Sequence, residues 1–393
     1  MKSIITIALL ASATLCASAQ TDIEQVLRSV EAGNKELQAA RQLTTSRKIE
    51  AATENNLPDP TVTYSHLYGN KEGMGFTGEL IASQSFNFPS LYAQRGKLAK
   101  LRGENFEQQS EVLRQDILLK AKEVCLDLVM LNKQKSLLEV RRGNAEQLSA
   151  LYEQRLKAGD ADILEANKIA LELLNVNNEA RMNEAERADK LRELATLCGG
   201  EEVAFGDTVY PEALLPASLG ELKEEVMSLD RRLCSLRSDQ SVARKQISVS
   251  RAQGLPSFEL GYRMNPSSGG ERYNGFIVGI SIPLFANRGK VKQAKAQSLY
   301  ADLQTESMQT MVENELLQLY NRAATLKTSI DEYSKVLEGQ SNLALLNKAI
   351  QSGQISMIEY FADVTTIYQS MQNFMLIENE YQKVLARVYK YKL

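Results

Sequence analysis

The chain has no tryptophan, one histidine (His66), eight prolines and four cysteines in 393 residues. A lone histidine cannot build a histidine-based metal site or a catalytic triad, and the sequence has no glycine-rich nucleotide loop and no clustered nucleophile, so a secreted enzyme is disfavoured. Beyond the N-terminus, no apolar run reaches the 18 or more residues that a spanning helix needs. Charge of one sign is also missing. Lys and Arg number 46 against 49 Asp and Glu, for a formal net charge of -3 and a pI near 5.7. That balance leaves no electrostatic footprint for nucleic acid. Past Cys16 the thiols are odd in number: Cys125, Cys198 and Cys234. Free buried thiols are the favoured reading, with a Cys198–Cys234 disulfide as the alternative.

What is present begins with an export signal at residues 1–19. Lys2, the apolar run Ile4 to Leu15 and Ala17-Ser18-Ala19 before Gln20 have the order of a cleaved secretory signal. Cys16 follows Leu15, where lipoprotein processing wants a small residue, which disfavours lipidation.

The chain is organised around the proline-free stretch Lys97 to Lys157. Ile117, Ala121, Val124, Leu128, Leu131 and Leu138 recur near the alternating three-and-four spacing of a helix seam. Roughly 60 helical residues span about 90 Å, so the seam must be covered along its length by other helices. Gly159 is placed for the left-handed residue of a helix end, and Asp160 can cap a returning helix. The same hairpin recurs from Arg288-Gly289-Lys290 to Gln351-Ser352-Gly353, which indicates duplication of a whole unit.

Each hairpin is preceded by an amphipathic helix and a strand pair. The first helix runs from Asp22 to about Glu54. Val62, Tyr64 and Tyr68, then Phe76, Leu80, Ala82, Phe86 and Phe88, alternate with Thr, Ser, Glu and Asn. Phe258, Leu260, Tyr262 and Met264, then Phe276, Val278, Ile280 and Ile282, do the same in the second half. The prolines are expected to lie outside the helices. The expected organisation is a signal at 1–19, a first repeat over 20–200 (strands 61–88, tip at 159), a connecting segment at 201–220, and a second repeat over 221–393 (strands 257–282, tip at 353). Strands of this length suit tilted crossing of a bilayer. Four cannot close a barrel, and open edges are not tolerated in lipid, so strands from further copies must complete it.

With these features on the page, the chain resembles the TolC family of outer-membrane efflux channel proteins over nearly all of its mature length. The resemblance rests on Leu57-Pro58 and Leu255-Pro256, on the paired alternating strands, and on Ile282-Pro283-Leu284-Phe285 with Asn287-Arg288-Gly289-Lys290. It also rests on the tips Lys157-Ala158-Gly159 with Ile163-Leu164 and Gln351-Ser352-Gly353 with Met357-Ile358. It implies a mainly α fold with membrane β: long α-helical hairpins forming a periplasmic α-barrel, and four strands per protomer contributing to a twelve-stranded outer-membrane barrel in a homotrimer. It further implies a passive duct in outer-membrane lipid, joined through a periplasmic adaptor protein to an inner-membrane pump, with no catalytic residue, metal or cofactor.

The implied adaptor-docking tips are Arg155, Gly159, Asp162, Ile163, Gly353, Ser356 and Ile358. The implied periplasmic gate is Glu359 with Asp363, although Ala362 holds the family's second acidic position and Asp363 lies one residue beyond it. Without tryptophan, the membrane aromatic belt falls to Tyr64, Tyr68, Phe86, Phe88, Tyr262, Tyr273 and Phe276. The alternative, a periplasmic coiled-coil adaptor, would need a lipoyl-like β domain and usually has one hairpin.

Overall fold

The computed structural model describes residues 23–216, 218–338 and 342–393, so the expected signal at 1–19 and the helix start at Asp22 lie outside the described residues. In chain order the elements are α1 (Ile23–Gly33), α2 (Lys35–Thr53), β1 (Thr61–Tyr68), β2 (Phe76–Phe86), α3 (Pro89–Ala158), α4 (Ile163–Leu197), α5 (Leu219–Leu229), α6 (Arg231–Ala252), β3 (Ser257–Pro266), β4 (Arg272–Ser281), α7 (Lys290–Glu338), α8 (Asn342–Gln351) and α9 (Met357–Val388).

The long helix is real, and longer than the periodicity indicated. It spans 70 residues and starts at Pro89. One proline therefore lies inside a helix, contrary to expectation. At the first helical position its missing N–H would have had no partner anyway, and its fixed φ suits the helix. All six seam residues, Ile117 to Leu138, are buried. The first amphipathic segment is two helices rather than one. Asn34 leaves the helical conformation, and its Oδ1 accepts from the Leu37 backbone N–H at 3.0 Å, capping α2 just after Gly33 ends α1.

The chain packs as two units, each drawing on both sequence halves. One comprises the described residues of 1–30, 124–211 and 340–379. Its core joins α3 and α4 to α8 and α9 through Leu148, Tyr152, Ile169, Ile350, Met357, Tyr360, Val364 and Tyr368. Arg141 crosses from α3 to Glu172 and Glu179 of α4 at 2.7 and 2.8 Å, and Lys133 reaches Glu378 of α9 at 2.6 Å. The carboxylates thus act largely as inter-helix pairs. The segment after α4 is pinned along this unit: Asn132 donates to the Asp207 carbonyl at 2.9 Å, and the Tyr210 hydroxyl to Asn379 at 3.4 Å. Cys125, Cys198 and Cys234 are all free thiols, and burial pushes that of Cys125 up to about 12.

The other unit comprises 31–123, the described residues of 212–339, and 380–393. Helices α5, α6 and α7 and the end of α9 share a core of Leu222, Val226, Leu233, Val312, Leu316, Val384 and Leu385. Asp230, almost fully buried, caps α6 through the N–H groups of Arg232 and Leu233 and also binds the Arg232 guanidinium at 2.9 Å. The sheet belongs to this unit. It is antiparallel in the order β1-β2-β3-β4. The two hairpins foreseen from alternation are joined by pairing of β2 with β3, Leu80 opposite Met264 through Phe86 opposite Phe258. Strand β3 continues to Pro266.

Candidate functional site

Two places in the molecule present groups that the fold itself does not use. The first is one face of the sheet. Because side chains alternate along a strand, residues directly opposite one another share a face. The register sets Val62, Ala82, Tyr262 and Phe276 in one row, Tyr64, Leu80 and Met264 in the next, and Phe86, Phe258 and Ile280 in a third. The apolar stripe is therefore continuous across all four strands. Among the described residues nothing covers it: Phe276 is 91% exposed, Val278 80% and Ile280 62%. The opposite face carries Thr61, Thr63, Ser83 and Gly261, with Glu79 ion-paired to Arg263. The outer strands β1 and β4 each pair on one side only, among the described residues.

Aromatic rings gather toward the two ends of this face. Near the β1–β2 turn, His66 stacks on Phe76 at 4.6 Å between centroids, meets Tyr68 edge-on at 4.5 Å, and shares a hydrogen bond with the Tyr64 hydroxyl at 3.1 Å. Near the helices, Phe88 approaches Phe258 at 6.2 Å. Two of the expected belt residues sit apart from the others on this face. Tyr273 is opposite Asn265 and so lies on the polar face, since its number has the wrong parity for the apolar one. Phe88 follows the end of β2 and is not a strand residue. His66 and Phe258 were missed, although both sit at apolar-face positions of the alternation.

The second place is the pair of helical tips in the first unit. Gly159 has φ +80° and Gly353 φ +74°. In each, the N–H of the residue after the glycine reaches back five residues, Asp160 to Arg155 and Gln354 to Ala349, both at 2.8 Å. This is the same Schellman closure built twice. Three residues beyond each glycine a capping box opens the returning helix: Asp162 with Glu165 for α4, and Ser356 with Glu359 for α9. Arg155 joins the tips by donating to the Gln351 carbonyl at 3.1 Å while its guanidinium lies over the Tyr152 ring at 5.3 Å. Ile163, Leu164 and Ile358 are exposed beside the turns, whereas Met357 is buried.

Of the expected gate pair, Glu359 is held by Ser356. Its carboxylate accepts from the Ser356 N–H and hydroxyl, both at 2.8 Å, and these bonds hold it below the ordinary carboxyl value. Asp363, one turn on, is exposed. Glu165 was missed at the first tip, although it lies six residues past its glycine, as Glu359 does past Gly353.

A family model described as outer membrane efflux protein matches residues 224–391. The alkaline protease secretion protein AprF of Pseudomonas aeruginosa is 24% identical over 323 residues, covering 76% of this chain. The match spans 65% of that protein's length. Among solved structures, one of CusC superposes with a TM-score of 0.77 at 15% identity, over 95% of this chain and 92% of that one. The outer-membrane channel OprN matches with a TM-score of 0.77 at 14% identity, over 94% and 89%, and the open state of the Neisseria gonorrhoeae MtrE outer membrane channel with 0.77 at 14%, over 94% and 88%. At these identities the likeness is one of fold, and it extends over almost the whole chain. The fold is that of the TolC-like channels: long helical hairpins with a four-stranded antiparallel sheet.

Proposed function

We propose that this protein is the outer-membrane channel of a tripartite efflux or type I secretion system, a passive exit duct supplied by an inner-membrane pump through a periplasmic adaptor. The observation that carries the reading is the uncovered apolar sheet face bounded by two open strand edges. In water such a face is a liability, and in lipid it is a requirement. Eleven residues of β2 at about 3.3 Å rise, tilted by about 40°, cover about 25 Å, the height of the apolar band of outer-membrane barrels. Open edges cannot persist in hydrocarbon, so the edges of β1 and β4 pair with neighbouring copies, and three copies supply twelve strands. The polar face then lines the lumen.

In this reading the two sequence repeats contribute equivalent staves, each made of a strand pair and a helical hairpin. The tips carrying Gly159 and Gly353 receive the adaptor, with Ile163 and Ile358 as the apolar contacts and Arg155, Asp162 and Ser356 shaping the turns. Glu359 and Asp363 ring the duct near that end, where three symmetry-related carboxylates favour cations. The adaptor alternative would need a separate β domain, and the one sheet among the described residues is of membrane type.

Single-channel recording in planar bilayers tests the duct. The native protein should conduct with a cation preference that weakens in Glu359→Gln and Asp363→Asn. Absence of conductance from inserted protein would contradict the duct, whereas an unchanged preference would remove only the gate.

A further inference from the structure

The two longest stretches of the chain without an acidic residue both leave the sheet. From Leu80 to Gly103, and again from Arg272 to Ala301, there is no Asp or Glu. At the chain's average of 49 acidic residues in 393, about seven would fall in stretches of this combined length. Cations are not depleted there. The first stretch holds Arg95, Lys97, Lys100 and Arg102, and the second holds Arg288, Lys290, Lys292 and Lys295 just past β4.

The helices that begin in these stretches depart from a pattern that most of the others keep. α1, α2, α4, α5 and α9 carry Glu24, Glu36, Glu165, Glu221 and Glu359 in their first turns, and α6 is capped by Asp230. α3 and α7 have no acid in the first turn, a lack they share only with the ten-residue α8 among the helices not capped by an acid. Lysines at the start of α7 oppose the positive end of its dipole, which is unfavourable for folding on its own account.

Nor do neighbours neutralise the charge. Lys100 lies 3.9 Å from Glu104, and Arg102 binds Glu54 at 2.6 Å. Among the described residues, none of Arg95, Lys97, Arg288, Lys290, Lys292 and Lys295 forms an ion pair with a carboxylate. Directly between these cations and the apolar face stand exposed apolar residues, Phe88, Ile282, Leu284 and Phe285, the last 82% exposed.

We infer that these six cations form a belt that binds the anionic phospholipid headgroups of the leaflet on the helix side of the membrane. The inference rests on the sheet lying in lipid, as proposed above. Phe88, Leu284 and Phe285 sit at the boundary between acyl chains and headgroups. Side chains on a helix lean toward its N-terminus, so cations in the opening turns of α3 and α7 reach back toward the sheet. The headgroup layer is only some 5–8 Å deep on each side, so in this reading Arg288 and Lys290 stand nearest to it, while Lys292, Lys295, Arg95 and Lys97 reach back to it along their long side chains. Each cation near such a surface is worth about fivefold in binding at physiological salt.

Native mass spectrometry of the detergent-extracted protein, incubated with equal amounts of phosphatidylglycerol and phosphatidylcholine, tests the belt. The native protein should retain phosphatidylglycerol preferentially, by roughly tenfold or more, and lose the preference as salt rises. Arg95→Gln, Lys97→Gln, Arg288→Gln, Lys290→Gln, Lys292→Gln and Lys295→Gln together should abolish it. Replacing the four lysines of the six by arginine should keep it, as should Gln at the exposed cations Arg28, Lys168, Arg181 and Lys348 of the other unit. No preference in the native protein, or a preference that survives the six Gln substitutions, would overturn the belt. Insertion into pure phosphatidylcholine vesicles is the separating measurement. Protein that inserts there without preferring the anionic lipid sinks the belt alone, and protein that inserts into neither lipid sinks the membrane reading and the belt with it.

Discussion

Gly159 and Gly353 hold backbone conformations that a β-branched residue resists, and both turns face open space, so a side chain there would meet no steric clash, only the backbone penalty. Valine at either position should therefore cost about 1–2 kcal/mol locally. It should reshape the tip while leaving assembly intact, so transport should fall more than the amount of assembled protein in the membrane; equal loss of both would assign the glycines to folding alone. Asp230 is a different case. Burial pushes its carboxyl up, but Arg232, Lys390 and the Leu233 N–H together outweigh this and hold it below its ordinary 3.8. Because the folded value is the lower one, the stability it contributes is fully present above about pH 3.8 and is lost as pH falls through the lowered value. Asp230→Ala leaves Arg232 without its buried partner and uncaps α6, and should cost on the order of 3 kcal/mol in denaturant unfolding. A loss below about 1 kcal/mol would show that Glu315, 2.8 Å from Arg232, compensates.

At the level of elements, much was legible from the residues because the periodicities are long and regular. The seam Ile117 to Leu138 is buried as its spacing required, and both hairpin tips fall at their glycines. Three features were not legible. Asn34 interrupts an otherwise continuous helical pattern with a single cap, which alternation counts miss. Pro89 reads as a breaker until its place at the first helical position is known. The β2–β3 pairing joins residues nearly two hundred positions apart, and no local signal encodes it. The sheet offers a direct test of its two faces. Phe276→Lys places a charge on the lipid face and should lower membrane insertion by about 2–4 kcal/mol, measured by folding into vesicles, whereas Ser83→Lys on the polar face should cost far less. Equal penalties would mean that the faces are not lipid and lumen.

For the whole molecule, a single 43.8 kDa chain leaves the apolar face bare and two strand edges open. Among the described residues no helix is long and apolar enough to cross a membrane. In the proposed function three chains close one barrel. The most direct test is the mass of the protein extracted from membranes in mild detergent, determined by native mass spectrometry together with strand content by circular dichroism. The expected result is three protomers in one particle with the full strand content, dissociating only when the strands unfold. A monodisperse single protomer that keeps all its strands in detergent would contradict it.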